Sequence, residues 1–162
     1  MAKLDTIRSK QFRVMTRVIF SKGNTILVIE GKSSTKASRL FILPGGTVEF
    51  GETSKAALVR EINEELHAKM KNIKYIGVIE NIFLYKGVKC HEFAFIYYAQ
   101  FSDKSFYNKS TIDGIEDTGE KFKCMWMQIN DFKKGKYLLV PVRILKLLNG
   151  KNAKEKHLLP YN

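Results

Sequence analysis

Hydrophobic and polar positions change period along this chain, and the changes mark its elements. Phe12 to Phe20 and Thr25 to Glu30 are rich in β-branched and aromatic residues. They flank Ser21-Lys22-Gly23-Asn24, which predicts a hairpin with a four-residue loop. Gly31 to Arg39 is small and polar and reads as an exposed loop. Leu40-Phe41-Ile42-Leu43 is a short apolar run halted by Pro44 and Gly45-Gly46, the pattern of a buried strand. From Glu52 to about His67, Ala57, Leu58, Ile62 and Leu66 supply an apolar stripe at helical spacing, and Thr53 or Ser54 can cap the start. Lys74 to Tyr85 and Lys89 to Phe101 predict a second, longer hairpin around Lys86-Gly87. Ser102 to Glu120 is polar and reads as a long loop, of the kind that is often functional. Lys121 to Met127, which holds the only tryptophan, Trp126, predicts another strand. Pro141 suits the first turn of a final helix through about Leu148, ended by Asn149-Gly150. The basic tail, residues 151–162, is expected to be loosely ordered. No repeat or linker divides the chain, so residues 1–162 are expected to form one domain, with the tail beginning at about 150. A mixed sheet with one central and one C-terminal helix predicts an α/β sandwich.

Composition narrows this picture in two places. The formal net charge of +12 favours anionic partners such as phosphates, nucleotides or nucleic acid, or else a lysine-rich solvated shell. The lysines are scattered, and no basic block of the kind that forms a nucleic-acid arm is present. Cys90 and Cys124 stand apart, without a CxxC pair or a histidine at metal-ligand spacing, and read as inert thiols. The opening MAKLDTIRSK lacks the apolar core of a signal peptide, and the longest apolar run, Phe93 to Ala99, is too short to span a bilayer. A soluble cytoplasmic protein, away from membranes, is the expectation.

The candidate chemistry sits on the central helix. Glu61, Glu64 and Glu65 lie at i, i+3 and i+4, so a helix places them on a common side, with Arg60 among them. Like charges at this spacing repel by roughly 0.2–0.5 kcal/mol per pair, a repulsion that a bound cation or basic partner offsets. Clustered hard oxygen ligands suit Mg²⁺ or Mn²⁺. Neither a Walker A loop nor a GxGxxG fingerprint is present.

The full pattern is Gly46, five residues, Glu52, seven residues, then Arg60-Glu61-Ile62-Asn63-Glu64-Glu65. It resembles the Nudix box, GX5EX7REUXEEXGU, in which U is a bulky aliphatic residue. The match stops at His67, where the family has glycine, and at Ala68, where it has a larger aliphatic. Histidine tolerates positive φ, which would preserve the helix exit. The resemblance implies the Nudix α/β/α sandwich with a mixed sheet. It also implies hydrolysis of a pyrophosphate bond in a nucleoside diphosphate linked to another group, with Mg²⁺ or Mn²⁺. It assigns Glu61, Glu64, Glu65 and the backbone carbonyl of Gly45 to the metal. Glu61 is also a candidate general base, Arg60 orients a glutamate, and Glu52 joins the acidic site. Outside the box, Arg17 and Arg39 are candidates to clamp phosphates, and Glu116 and Glu120 to add a base or ligand. Phe41, Phe83, Tyr85 and Phe106 are candidates to stack on a base, although aromatics in β-rich runs are more often core. His91, opening a strand, reads as structural.

The expected partner is a small nucleotide, such as a nucleotide sugar or a nucleoside triphosphate. Nucleic acid is compatible with the charge but not required, and a homodimer is compatible with the family. Two other functions stay open at this point: pyrophosphate removal from RNA 5′ ends, and a Nudix-fold nucleotide-binding module that has lost catalysis. Arg60, Glu61, Glu64 and Glu65 argue against the last.

Overall fold

Alternation within single strands sends side chains into two separate cores. In the computed structural model, which describes residues 12–31, 39–85, 87–148 and 156–158, strand β1 (Phe12–Ile19) directs Met15 and Ile19 into one core and Val18 into the other. Strand β3 (Thr25–Gly31) divides in the same way, with Ile26 and Val28 on one side and Leu27 on the other. This is the period-2 geometry of an extended chain buried on both faces. The first core is closed by Phe132 of helix α2 (Ile129–Lys133) and by Ile144 and Leu147 of helix α3 (Ile144–Leu148). The second is closed by Leu58, Ile62 and Leu66 of helix α1 (Ser54–Leu66). Helices therefore cover both faces, and the expected α/β/α sandwich with mixed sheets is the architecture.

Two sheets make the middle layer. In the first, β1 pairs in parallel with β6 (Val88–Phe101), β6 pairs antiparallel with β5 (Met70–Tyr85), and β5 carries β10 (Lys156–Leu158) in parallel. In the second, the order is β7 (Thr111–Ile115), β8 (Lys121–Gln128), β3, β4 (Leu40–Ile42) and β9 (Leu138–Val140), and the short β2 (Ser21–Lys22) folds onto β3.

Several expectations change here. The hairpin before the loop is formed by β2, not by the whole of Phe12 to Phe20; β1 leaves to pair with β6 in the other sheet. The polar stretch 102–120 contains a 3₁₀ turn at Lys104–Asn108 and the strand β7. The final helix starts at Ile144 rather than Pro141. Residues 156–158 of the basic tail pair with β5. The N-terminal MAKLDTIRSK segment, most of the 31–39 loop and the rest of the tail lie outside the described residues. Among the described residues, no helix is long and apolar enough to cross a membrane.

The turn from β4 to α1 positions the site. Beyond Pro44 the chain runs back along the free edge of β1. Val18 N–H donates to the Pro44 carbonyl and Thr16 N–H to the Gly46 carbonyl, each at 2.9 Å, and Val48 N–H donates to the Val14 carbonyl at 2.8 Å. Gly45 has φ 130°, and a Cβ there would overlap the Thr16 carbonyl oxygen, so only glycine fits.

Candidate active site

Helix α1 carries two glutamates on its buried stripe. Thr53 caps it, its hydroxyl accepting from Ala56 N–H at 3.2 Å, and Ala57, Leu58, Ile62 and Leu66 are buried as the spacing predicts. Glu61 and Glu65 fall between those apolar positions and are buried with them, at 1% and 6% exposure. The helix leaves through His67 at φ 50°, ψ 37°, the left-handed conformation expected where the box has glycine.

Gly46 sits directly against Glu61, and a Cβ at this position would overlap the Glu61 carboxylate. Arg60 then ties the segment together. Its guanidinium donates to both Glu52 oxygens at 2.7 and 3.3 Å, to Glu64 Oε2 at 3.2 Å and to the Thr47 carbonyl at 3.1 Å. Arg60 Nη1 also stands 3.1 Å from Glu61 Oε1, an ion pair without hydrogen-bond alignment, so this buried oxygen has no donor. Glu52 is held below the ordinary carboxylate range, first by Arg60 and then by the Glu49 N–H it accepts from at 2.8 Å.

The carboxylates of Glu61 and Glu65 converge with that of Asp117, the three ligand atoms lying within 4.8 Å of one another. Burial pushes the Glu65 carboxyl up to about 8; the charges of Glu116 and Glu61 add to this, and Arg17 opposes it. Two buried carboxylates converging with a third are a hard-oxygen donor set that fits a divalent cation. Glu64, by contrast, is half exposed and bound to Arg60.

Arg17 is buried behind this cluster. Its Nη1 donates to the carbonyls of Gly45 at 2.7 Å and Leu43 at 3.2 Å. One lone pair of the Gly45 carbonyl is thus already engaged. A narrow cleft runs between Arg13 and Arg17 of β1, the Gly45–Thr47 turn, Glu61, Glu65 and Glu116. Arg39 instead makes a two-pronged exposed ion pair with Glu30 at 2.7 and 2.8 Å and lies over Phe41 and Tyr137. Glu120 sits in the β7–β8 turn, where its carbonyl accepts from Glu116 N–H at 2.9 Å. Of the candidate stacking residues, Phe41 is fully buried and Phe106 stacks on Phe101 in the core. His91 bonds Glu80 at 2.9 Å, the structural part expected of it. Both cysteines are buried, and burial raises their thiol pKa values.

Two residues of the site escaped sequence reading. Arg13 shares strand parity with Met15 and Arg17, so alternation alone places both arginines on one face. Asp117 lies between Glu116 and the Gly119 turn; no periodic signal separates it from its acidic neighbours.

The box residues and the sandwich around them define a Nudix-type domain. The chain belongs to the NUDIX family, whose domain profile matches residues 11–148. Its fold is similar to that of a MutT NUDIX hydrolase from Burkholderia pseudomallei (TM-score 0.63, 25% identity, 86% of this chain and 100% of that one). It is also similar to a NUDIX hydrolase from Nitrosomonas europaea (TM-score 0.58, 17% identity, 85% and 86%). In sequence, a stretch of 60 residues is 47% identical to an ADP-ribose pyrophosphatase of Methanocaldococcus jannaschii, spanning 37% of this chain and about a third, 35%, of that protein.

Proposed function

We propose that this protein hydrolyses the pyrophosphate bond of a nucleoside diphosphate linked to a further moiety, using Mg²⁺ or Mn²⁺. The observation that carries the reading is the convergence of the Glu61, Glu65 and Asp117 carboxylates, with Glu61 and Glu65 buried and Glu61 packed against Gly46. Glu61 and Glu65 would hold the cation, with Asp117 as a third ligand and Glu64 at the exposed edge. The cation, when bound, neutralises phosphate oxygens and acidifies water. Arg13, half-buried in the cleft wall, offers a guanidinium to the same phosphates. Arg60 fixes Glu52, Glu64 and the Thr47 carbonyl in one frame, and Arg17 anchors the turn from behind. A carboxylate of this set accepts the proton of the attacking water.

The ADP-ribose pyrophosphatase relative favours a nucleotide sugar as the substrate class. The test is product release from nucleotide sugars and nucleoside triphosphates with Mg²⁺ or Mn²⁺. Cleavage of ADP-ribose to AMP and ribose 5-phosphate is the expected result, and no turnover of any of them rejects the reading. The +12 charge supports a second reading, removal of pyrophosphate from RNA 5′ ends. Turnover of 5′-triphosphorylated RNA with a steep loss of affinity in salt would favour it.

A further inference from the structure

Beside the carboxylate cluster lies a second, larger hollow. It measures about 440 Å³ and opens between the β7–β8 hairpin and the C-terminal end of α1. Glu65 belongs to its wall as well as to the cluster, so the two spaces share a residue. Phe122 is on the wall, with His67, Asp113 and Lys121 among its other residues. Its volume falls within the range of small-molecule sites, roughly 300–1,000 Å³.

We propose that this cleft receives the planar base of the nucleotide, stacked on Phe122. The proposal rests on the pyrophosphatase reading above and adds which part of the substrate goes where. A diphosphate held at Glu61 and Glu65 places one end of the substrate at Glu65, where the cleft begins. Phe122 is half-buried, while its strand neighbours Lys121 and Lys123 are exposed. The sequence makes room for the ring by an absence. Gly114 is the cross-strand partner of Phe122, and a Cβ there would overlap the ring. The ring thus lies over bare backbone on β7. Because β7 is the outermost strand of its sheet among the described residues, no further described strand closes the cleft from that side.

A filling role for Phe122, merely covering the glycine, is the competing account. Stacking differs from filling in what it demands: an aromatic face, not only apolar volume. His67 adds a second point in favour. It stands where the family box has glycine, and the left-handed exit of α1 brings it to the cleft wall. A side chain that can donate, accept and stack is thereby added where the box has none.

Binding of AMP to the Mg²⁺-loaded full chain tests this, read by amide chemical-shift changes and by titration. AMP is expected to perturb Gly114, Ile115, Lys121 and Phe122, whereas ribose 5-phosphate perturbs only the carboxylate side. Phe122→Leu, which keeps apolar volume, should weaken AMP about tenfold or more, and Phe122→Tyr should restore it. Ribose 5-phosphate affinity should be the same in all three proteins. With a turned-over substrate, the Leu variant raises KM while kcat stays near wild type. Wild-type AMP affinity in Phe122→Leu, or AMP shifts that avoid the hairpin, would overturn the assignment. If no substrate is turned over, the catalytic reading fails, and the AMP titration still decides the cleft.

Discussion

Gly46 and Glu61 share one volume: the space a side chain would take at position 46 is occupied by the Glu61 carboxylate. The box begins with glycine here because the buried Glu61 carboxylate needs the room, and the φ of Gly46 is not among the left-handed ones. Gly46→Ala is therefore expected to push Glu61 out of the cluster. A displacement of about 1 Å at a reacting centre costs on the order of 100-fold in rate. Turnover should fall by about that factor, and Mg²⁺ affinity with it, while the thermal transition remains cooperative. Unchanged turnover would mean that Glu61 works from another position.

Arg60 is the joint between the two halves of the box. Arg60→Lys keeps the charge but loses the planar fork that reaches Glu52, Glu64 and the Thr47 carbonyl together. Urea unfolding is expected to show a loss of about 1–2 kcal/mol. Turnover should fall more steeply than this stability loss implies, because Glu61 is released on one side. A variant with near-native kcat would reduce Arg60 to a surface ion pair.

How far the sequence carried these conclusions depended on the range of the interactions. Helix α1 was legible because its cap, stripe and exit are local: Thr53, Leu58, Ile62, Leu66 and His67 all lie within one segment. That stripe also held the answer to which glutamates point inward. Glu61 and Glu65 sit one turn from Leu58 and Ile62, whereas Glu64 faces solvent. Strand pairing was not legible in the same way. Met15 pairs with Ala94, and nothing in the residues around Met15 names so distant a partner. β7 was hidden because Asp113 and Gly114 are poor strand formers; its pairing with β8, with Phe122 over Gly114, makes it a strand. Asp117 reaches the cluster only because that hairpin folds back over α1.

Arg17 is expected to be worth more to the fold than an arginine on the surface. It is buried, and its removal leaves the Leu43 and Gly45 carbonyls without their donor and takes away a buried positive charge that faces Glu92, Glu65 and Glu61. Arg17→Met should cost about 3–5 kcal/mol in urea unfolding, the scale for breaking a buried charge arrangement by removing one partner. Arg17→Lys, with one cationic head for two carbonyls, should fall in between. A loss below about 1 kcal/mol for the Met variant, the scale of exposed pairs, would contradict this account.

The Glu65 carboxyl links stability to pH. Its pKa is raised from the ordinary 4.5 to about 8, by burial first and by Glu116 and Glu61 next. A carboxyl raised in the folded state favours folding only while protonated. Its contribution is complete below about pH 4.5 and is lost as the pH climbs through about 8. Metal-free protein should therefore lose Tm from pH 5 to 8 relative to Glu65→Gln, which lacks this titration. A bound divalent cation reverses the preference, so the Tm gain from Mg²⁺ should be larger at pH 8 than at pH 5. An equal gain at both pH values would remove Glu65 from the cation site.

His67 tests the departure from the box directly. At φ 50° its backbone is left-handed, where a residue with a Cβ is strained by roughly 1–2 kcal/mol and glycine is not. Glycine in turn loses more freedom on folding, which cancels about 0.5–1 kcal/mol of the gain. His67→Gly should thus stabilise the protein by about 0.5–1 kcal/mol in urea unfolding. His67→Val, β-branched at the same angles, should destabilise it by more than that. The turn it preserves, in which Ala68 N–H reaches the Ile62 carbonyl at 3.5 Å, is expected to persist in the glycine variant. If His67→Gly instead weakens the fold, the imidazole itself makes stabilising contacts at the cleft wall, and its presence in place of glycine is a matter of packing rather than of tolerated strain.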